Sequence, residues 1–296
     1  MTNKVFMAFG QGQESKEAGA GFAKYVGVGA FKIVAVNPTK EELSAIYGAN
    51  FENDIEYVGK DTDGNDQVRL DFIAVTNPEK NNGIDVKTKV SFFLKNTPRF
   101  NAAKDKVQVI NKYGETTWVP TAMANGTDLP DNQSWFEGPY RACLVGEEEL
   151  TGFLKTYLNI PAKSWRDNKG VVHSIEKKSD AEAQLEGIPD YFKGNVKELA
   201  GILKFQPENL VKFALGIKTT DDGKEYQSVF TRMFVKNNVS NYAKLDAAIK
   251  DAQANGAYSN TVFTTEPLAQ YVVAATNMSA PEMAAPSATP AGWFGK

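Results

Sequence analysis

The chain has 296 residues, 42% hydrophobic and 23% charged, with a formal net charge of -3. This balance excludes a mostly disordered, collagenous or coiled-coil chain and supplies a large core, in one elaborated domain or two small ones. A single cysteine, Cys143, and a single histidine, His173, exclude an internal disulfide, most zinc sites and Cys/His nucleophile schemes.

No apolar run approaches the roughly 20 residues that cross a bilayer, so no membrane partner is expected. The opening MTNKVFMAFGQGQ is too short in its apolar stretch for a signal peptide, and cysteine usage suits a reducing cytoplasm. Residues 1–24 read as a flexible Gly/Gln-rich arm and 25–274 as a single elaborated domain.

Strand composition runs from Phe31 to Val36. Asn37-Pro38-Thr39 then opens a short helix, with Thr39 and Glu42 at capping-box spacing and Gly48 as its C-cap. Strands are expected over 55–60 and 68–76, turned by an Asp-Gly pair at Asp63-Gly64. A third covers 86–95, and 106–113 with 115–119 forms a hairpin about Gly114. Short links argue that this block is one antiparallel sheet.

Glu147, Glu148 and Glu149 open an apolar helical pattern (Leu150, Phe153, Leu154, Tyr157, Leu158) ended by Pro161. Residues 162–190 read as a polar surface excursion and 196–205 as a helix. A second hairpin pairs 210–218 with 225–236 about Asp221-Asp222-Gly223, and a helix over 242–254 stops at Gly256. From Ala275 the chain is Ala, Pro, Ser and Met with Trp293 and Phe294 near its tip, a disordered tether with an aromatic end.

The motifs of cofactor chemistry are missing. Three Gly-x-Gly pairs lack the third glycine of a dinucleotide fingerprint, having Ser15, Lys24 and Lys32 instead, and Gly59-Lys60 is followed by Asp61 rather than Ser or Thr. His173 reads as an ordinary surface or loop residue and Cys143 as a small buried hydrophobe; the carboxylate pairs serve turns and a helix dipole. No cofactor and no enzymatic role are expected.

Two strand faces alternate bases with aromatics. In 86–95 one face is Val86, Thr88, Val90, Phe92 and Leu94; the other is Lys87, Lys89, Ser91, Phe93 and Lys95. In the later hairpin Val211, Phe213, Leu215 and Ile217 meet Val229, Thr231, Met233 and Val235 on a core face. Its other face holds Lys212, Ala214, Gly216 and Lys218 beside Tyr226, Ser228, Phe230, Arg232, Phe234 and Lys236. Flat rings flanked by cations suit single-stranded nucleic acid: bases stack on the rings and phosphates follow the cations. Lys87, Lys89, Lys95, Lys212, Arg232 and Lys236 are the candidate phosphate contacts, and Phe93, Tyr226, Phe230 and Phe234 the candidate stacking platforms. A second reading fits the same residues: a sheet covered on both faces, with Phe230 and Phe234 under the 242–254 helix and the lysines in water.

The stretches GQGQESK (Gly10–Lys16), YVGVG (Tyr25–Gly29), VNPTK (Val36–Lys40), NPEKNNG (Asn77–Gly83), KVQVINKYG (Lys106–Gly114) and FLKTYLNIP (Phe153–Pro161) carry a resemblance. On them the chain resembles the single-stranded-DNA-binding proteins of crAss-like tailed bacteriophages of gut Bacteroidetes. The resemblance implies a β-rich α+β fold: an antiparallel OB-like barrel with helical insertions, a flexible arm and a disordered tail. It implies sequence-independent binding of single-stranded DNA during phage replication or recombination in the host cytoplasm. It also implies partner proteins recruited through Trp293 and Phe294, although this tail lacks an acidic run. The competing expectation is a virion structural or packaged-cargo protein that makes protein contacts through arm and tail.

Overall fold

The computed structural model describes residues 23–111, 116–121, 140–158, 164–166, 172–174 and 209–271. The arm before residue 23, the turn at Gly114, the 196–205 helix and the tail with Trp293 and Phe294 lie outside the described residues.

In chain order the elements are β1 (Tyr25–Val36), α1 (Lys40–Tyr47), β2 (Val58–Lys60), β3 (Asp66–Thr76), β4 (Lys87–Pro98), β5 (Lys106–Asn111), β6 (Thr116–Pro120), β7 (Tyr140–Ala142) and β8 (Leu144–Val145). There follow α2 (Glu147–Tyr157), β9 (Ser164–Arg166), β10 (Val172–Ser174), β11 (Val211–Thr219), β12 (Glu225–Val229), β13 (Val235–Lys236), α3 (Ala243–Ala254), β14 (Thr261–Phe263) and β15 (Ala269–Gln270). The main antiparallel sheet runs β12-β11-β1-β3-β4-β8 and curls into a half-barrel.

The expected single sheet through 119 divides. Among the described residues β5, β6 and β7 form a separate three-stranded sheet, tied to the segment after β4 by a single bridge from Val107 to Phe100, because the chain leaves β4 after Pro98 and returns through β8. The expected 55–60 strand shortens to β2. His173 sits in β10, opposite Trp165 of β9. β14 and β15 were not legible, since three- and two-residue strands carry no alternation to detect.

The start of α1 is built as its sequence implies. The Glu42 amide donates to Thr39 Oγ1 at 3.2 Å, and the Thr39 amide donates to Glu42 Oε2 at 3.0 Å. Gly48 closes it in the left-handed region at φ 68°, its amide donating to the Ser44 carbonyl.

Each sheet face has its own cover. On the inner face Phe31, Leu70, Phe72, Val90, Phe92, Leu94 and Phe213 meet Leu150, Phe153, Leu154 and Tyr157 of α2. Phe153 lies 4.8 Å from Phe72 and 4.9 Å from Phe234 between ring centroids, tilted or edge-on as aromatic quadrupoles prefer. Burial beside this cluster pushes the Tyr157 phenol up to about 12. On the outer face α3 lays Leu245, Ile249 and Ala252 over Val28, Ala214 and Phe230, while Leu43 of α1 covers Ala35 and Ile73. Cys143 is buried, as expected of it.

The chain enters and leaves this body at one place. The Tyr271 amide donates to the Lys24 carbonyl at 2.7 Å, and Glu225 receives both the Lys24 ammonium and the Tyr271 hydroxyl. Gly27, at φ 118°, lies so close to the 266–267 backbone that a Cβ would stand 2.7 Å from the Pro267 carbonyl oxygen.

Candidate nucleic-acid interface

β4 is a continuous strand, and its alternation is as expected: Thr88, Val90, Phe92 and Leu94 are buried inward, while Lys87, Lys89, Ser91, Phe93 and Lys95 lie outward. The cations on that outer face have internal partners. Lys89 approaches Asp71 Oδ2 at 3.7 Å, Lys95 pairs with Asp61 Oδ2 at 3.0 Å, and Lys87 donates to the Ile46 carbonyl at 2.6 Å. Two of the three lysine charges on this face are thus opposed by carboxylates. Phe93 is different: it is 40% exposed.

The later hairpin departs from the expected exposed face, for two separate reasons. Phe230 keeps its outward parity but is 0% exposed, because α3 and the 255–263 turn cover it; its ring lies 5.3 Å from Tyr258 and 5.5 Å from Phe263. Phe234 is 9% exposed and lies on the opposite side of the sheet, against Phe92, Phe153 and Phe213. Its face changes because the ladder breaks after Val229. From Leu215 to Val211 is four residues of β11, whereas from Val229 to Lys236 is seven, so three residues are extra. An odd slip exchanges the faces. Val235 and Met233 accordingly join the outer cluster instead of the core side, and Lys236 moves to the side of Val211. Neither phenylalanine can stack on a base.

Lys212 keeps its outward parity, but its ammonium donates to the Val239 carbonyl at 2.8 Å and lies 5.8 Å over the Tyr242 ring. Tyr226 is half-buried opposite Lys218. Arg232 is exposed on the irregular 230–234 stretch and pairs with no carboxylate among the described residues.

Phe93 and Arg232 both line a groove of about 430 Å³ at the seam of the half-barrel. One wall is the Ser91–Phe93 edge of β4, which has no strand partner there among the described residues, since β8 joins β4 only at Lys95 and Pro98. The other wall is Thr231, Arg232 and Tyr258, and Arg99 with Glu149 closes one end. Gly146, at φ 84°, brings the start of α2 to this edge; a Cβ there would collide with the Phe93 carbonyl oxygen. Arg99 reaches Glu148 at 2.6 Å and Glu149 at 3.5 Å, which holds the groove end in one shape. Tyr258, at φ 56°, shares a 3.0 Å hydrogen bond with Thr231 Oγ1 and so fixes the irregular stretch that carries Arg232.

The sequence reading missed Tyr258 and Arg99 as groove residues. Arg99 lies beyond the alternating part of β4, and Tyr258 follows the helix stop at Gly256, so neither had periodicity to mark it. No cluster of three or more potential metal ligands occurs among the described residues. No helix among them is long and apolar enough to cross a membrane. The chain matches no protein-family model, no curated protein and no solved structure.

Proposed function

We propose that this chain binds single-stranded nucleic acid without sequence preference, as a phage single-stranded-DNA-binding protein acting in replication or recombination in the host cytoplasm. The observation that carries the reading is Phe93, a large exposed residue on a strand, which lines the same groove at the half-barrel seam as Arg232. A ring on a rigid strand is a stacking platform for any base, and a guanidinium in the same groove that pairs with no carboxylate among the described residues is a contact for the phosphate between bases. The resemblance of the quoted stretches to crAss-like phage proteins supports the same reading, and with it an OB-like identity for the half-barrel.

The phosphate contacts of this reading are Arg232 and Lys87, with Arg99 available where phosphate displaces Glu149. Lys89 and Lys95 instead act mainly within the fold. Trp293 and Phe294 keep their proposed role toward partner proteins.

One observation favours a second reading, a virion or cargo protein that binds other proteins. The lysine face of β4 is largely neutralised from within, which weakens its pull on a polyanion. Titration onto a labelled oligo-dT of about 30 nucleotides and onto the matching duplex, at low and moderate salt, separates the two. The nucleic-acid reading expects binding to the single strand that weakens steeply with salt; no binding at low salt leaves the protein-binding reading.

A further inference from the structure

Phe93 does not stand on an apolar floor. Directly opposite it in the β3–β4 register is Arg69, whose guanidinium carbon lies 5.7 Å from the centre of the Phe93 ring, within cation–π range. Arg69 is 3% exposed and is gripped along its fork by one carboxylate: Nε donates to Asp71 Oδ1 at 2.8 Å, and Nη2 lies 2.7 Å from Oδ2. The backbone beneath is clamped by Asn37. Its side chain donates to the Arg69 carbonyl at 3.2 Å and accepts from the Asp71 amide at 2.8 Å, and Tyr57 receives the Arg69 amide.

As a stabilising device this arrangement is poor value. A buried ion pair contributes little net stability, because desolvation cancels most of its attraction, and apolar residues of similar volume serve as well or better. The same sheet face shows that alternative two residues away, where Ile73 is covered by Leu43 of α1. What an arginine supplies, and a leucine does not, is a flat, weakly hydrated cation able to lie on an aromatic ring while fully committed to a carboxylate.

We propose that Arg69, locked by Asp71, is a positioning residue that holds the Phe93 ring as a platform. The guanidinium supports one side of the ring, and the exposed side receives a flat π ligand, a nucleobase. This rests on the nucleic-acid reading and adds a mechanism to it: the ring is ordered before the ligand arrives, so less side-chain freedom is lost on binding. Any base fits, because every base has a π face.

The test uses the full-length chain with a trifluoromethylphenylalanine at position 93, read by fluorine NMR and by oligo-dT titration. R69M/D71L/K89M removes both charges of the pair together with the lysine that also faces Asp71 at 3.7 Å, so that none of the three is left opposite an empty place; R69K retains the charge but loses the planar fork, and serves if the triple variant does not fold. The expected result is that either change moves the fluorine resonance toward its solvent-exposed position. Oligo-dT affinity should fall about two- to fivefold, the scale of a cation–π contact. An unmoved resonance overturns the positioning role, whatever happens to affinity. A moved resonance with unchanged affinity overturns the platform role. Failure of the unsubstituted chain to bind oligo-dT at low salt overturns the nucleic-acid reading and the base ligand with it, while the resonance still decides whether Arg69 holds the ring.

Discussion

β4 and the Glu225–Lys236 segment both lie in the main sheet, yet one keeps its two faces along its length and the other exchanges them midway. β4 is laddered to β3 without interruption from Lys87 to Lys95, so every second residue stays outward and Phe93 reaches the groove. The segment loses its ladder after Val229 and regains it at Val235, and two rings four residues apart, Phe230 and Phe234, end in different cores. Face parity is a property of the ladder rather than of the residues, and it is conserved only while the ladder is unbroken.

The largest effect that would break this comparison is on stability. Phe234→Ala and Phe230→Ala should each cost about 3–5 kcal/mol in chemical denaturation, the range for emptying a buried phenylalanine site. A wild-type midpoint for either variant would mean that its ring is at the surface after all. Phe93→Ala should behave oppositely, leaving the midpoint nearly unchanged and weakening oligo-dT binding by about 1–3 kcal/mol, the scale of one stacked base.

Arg232→Ala sharpens the contrast further, because this residue lies on the irregular stretch yet points to the same groove as Phe93. Affinity should fall severalfold at low salt, with the slope of log K against log salt reduced by about one. An unchanged slope would remove Arg232 from the phosphate path.

The smallest effect concerns the turns that set the two registers. Asp61 accepts the Asp63 and Asn65 amides and pairs with Lys95 of β4, and Asp222 pairs with Lys224 and accepts from Thr220. Desolvation would raise the Asp61 carboxyl, but its hydrogen bonds with Lys95, Asn65 and Asp63 outweigh that and hold it at about 2. Hydrogen bonds from Lys224 and Thr220 hold Asp222 at about 2 as well. Both values are depressed, so the stabilisation is complete above the ordinary value of 3.8 and is lost as the pH falls toward 2. Melts taken down this range should lose part of their slope in Asp61→Asn, and a separate part in Asp222→Asn.

The legible parts of the molecule are those in which one local rule operates without interruption. The Thr39–Glu42 capping box, the Asp63-Gly64 turn and the acidic start of α2 each specify their geometry within a few residues. β4 is legible because its ladder is long. Phe234 was not legible, because the three extra residues after Val229 include no Gly or Pro to announce a bulge. Phe230 lies where the second reading put it, under the 242–254 helix: its face was legible, but strand alternation carries no information on what lies above a face, so the choice between base and helix was not. Arg99 and Tyr258 reach the groove through tertiary folding alone.

The hydrogen bond from Tyr271 to Lys24 has a consequence for how the body tolerates rearrangement. With these two residues side by side, a short linker could join them, and new ends could be opened in the exposed Asp221–Gly223 turn. Such a circular permutant would keep every strand neighbour of the main sheet while placing β12 ahead of β1 and separating it in sequence from β11. Its folding rate would then report whether the sheet assembles outward from β1 or from the β11–β12 hairpin.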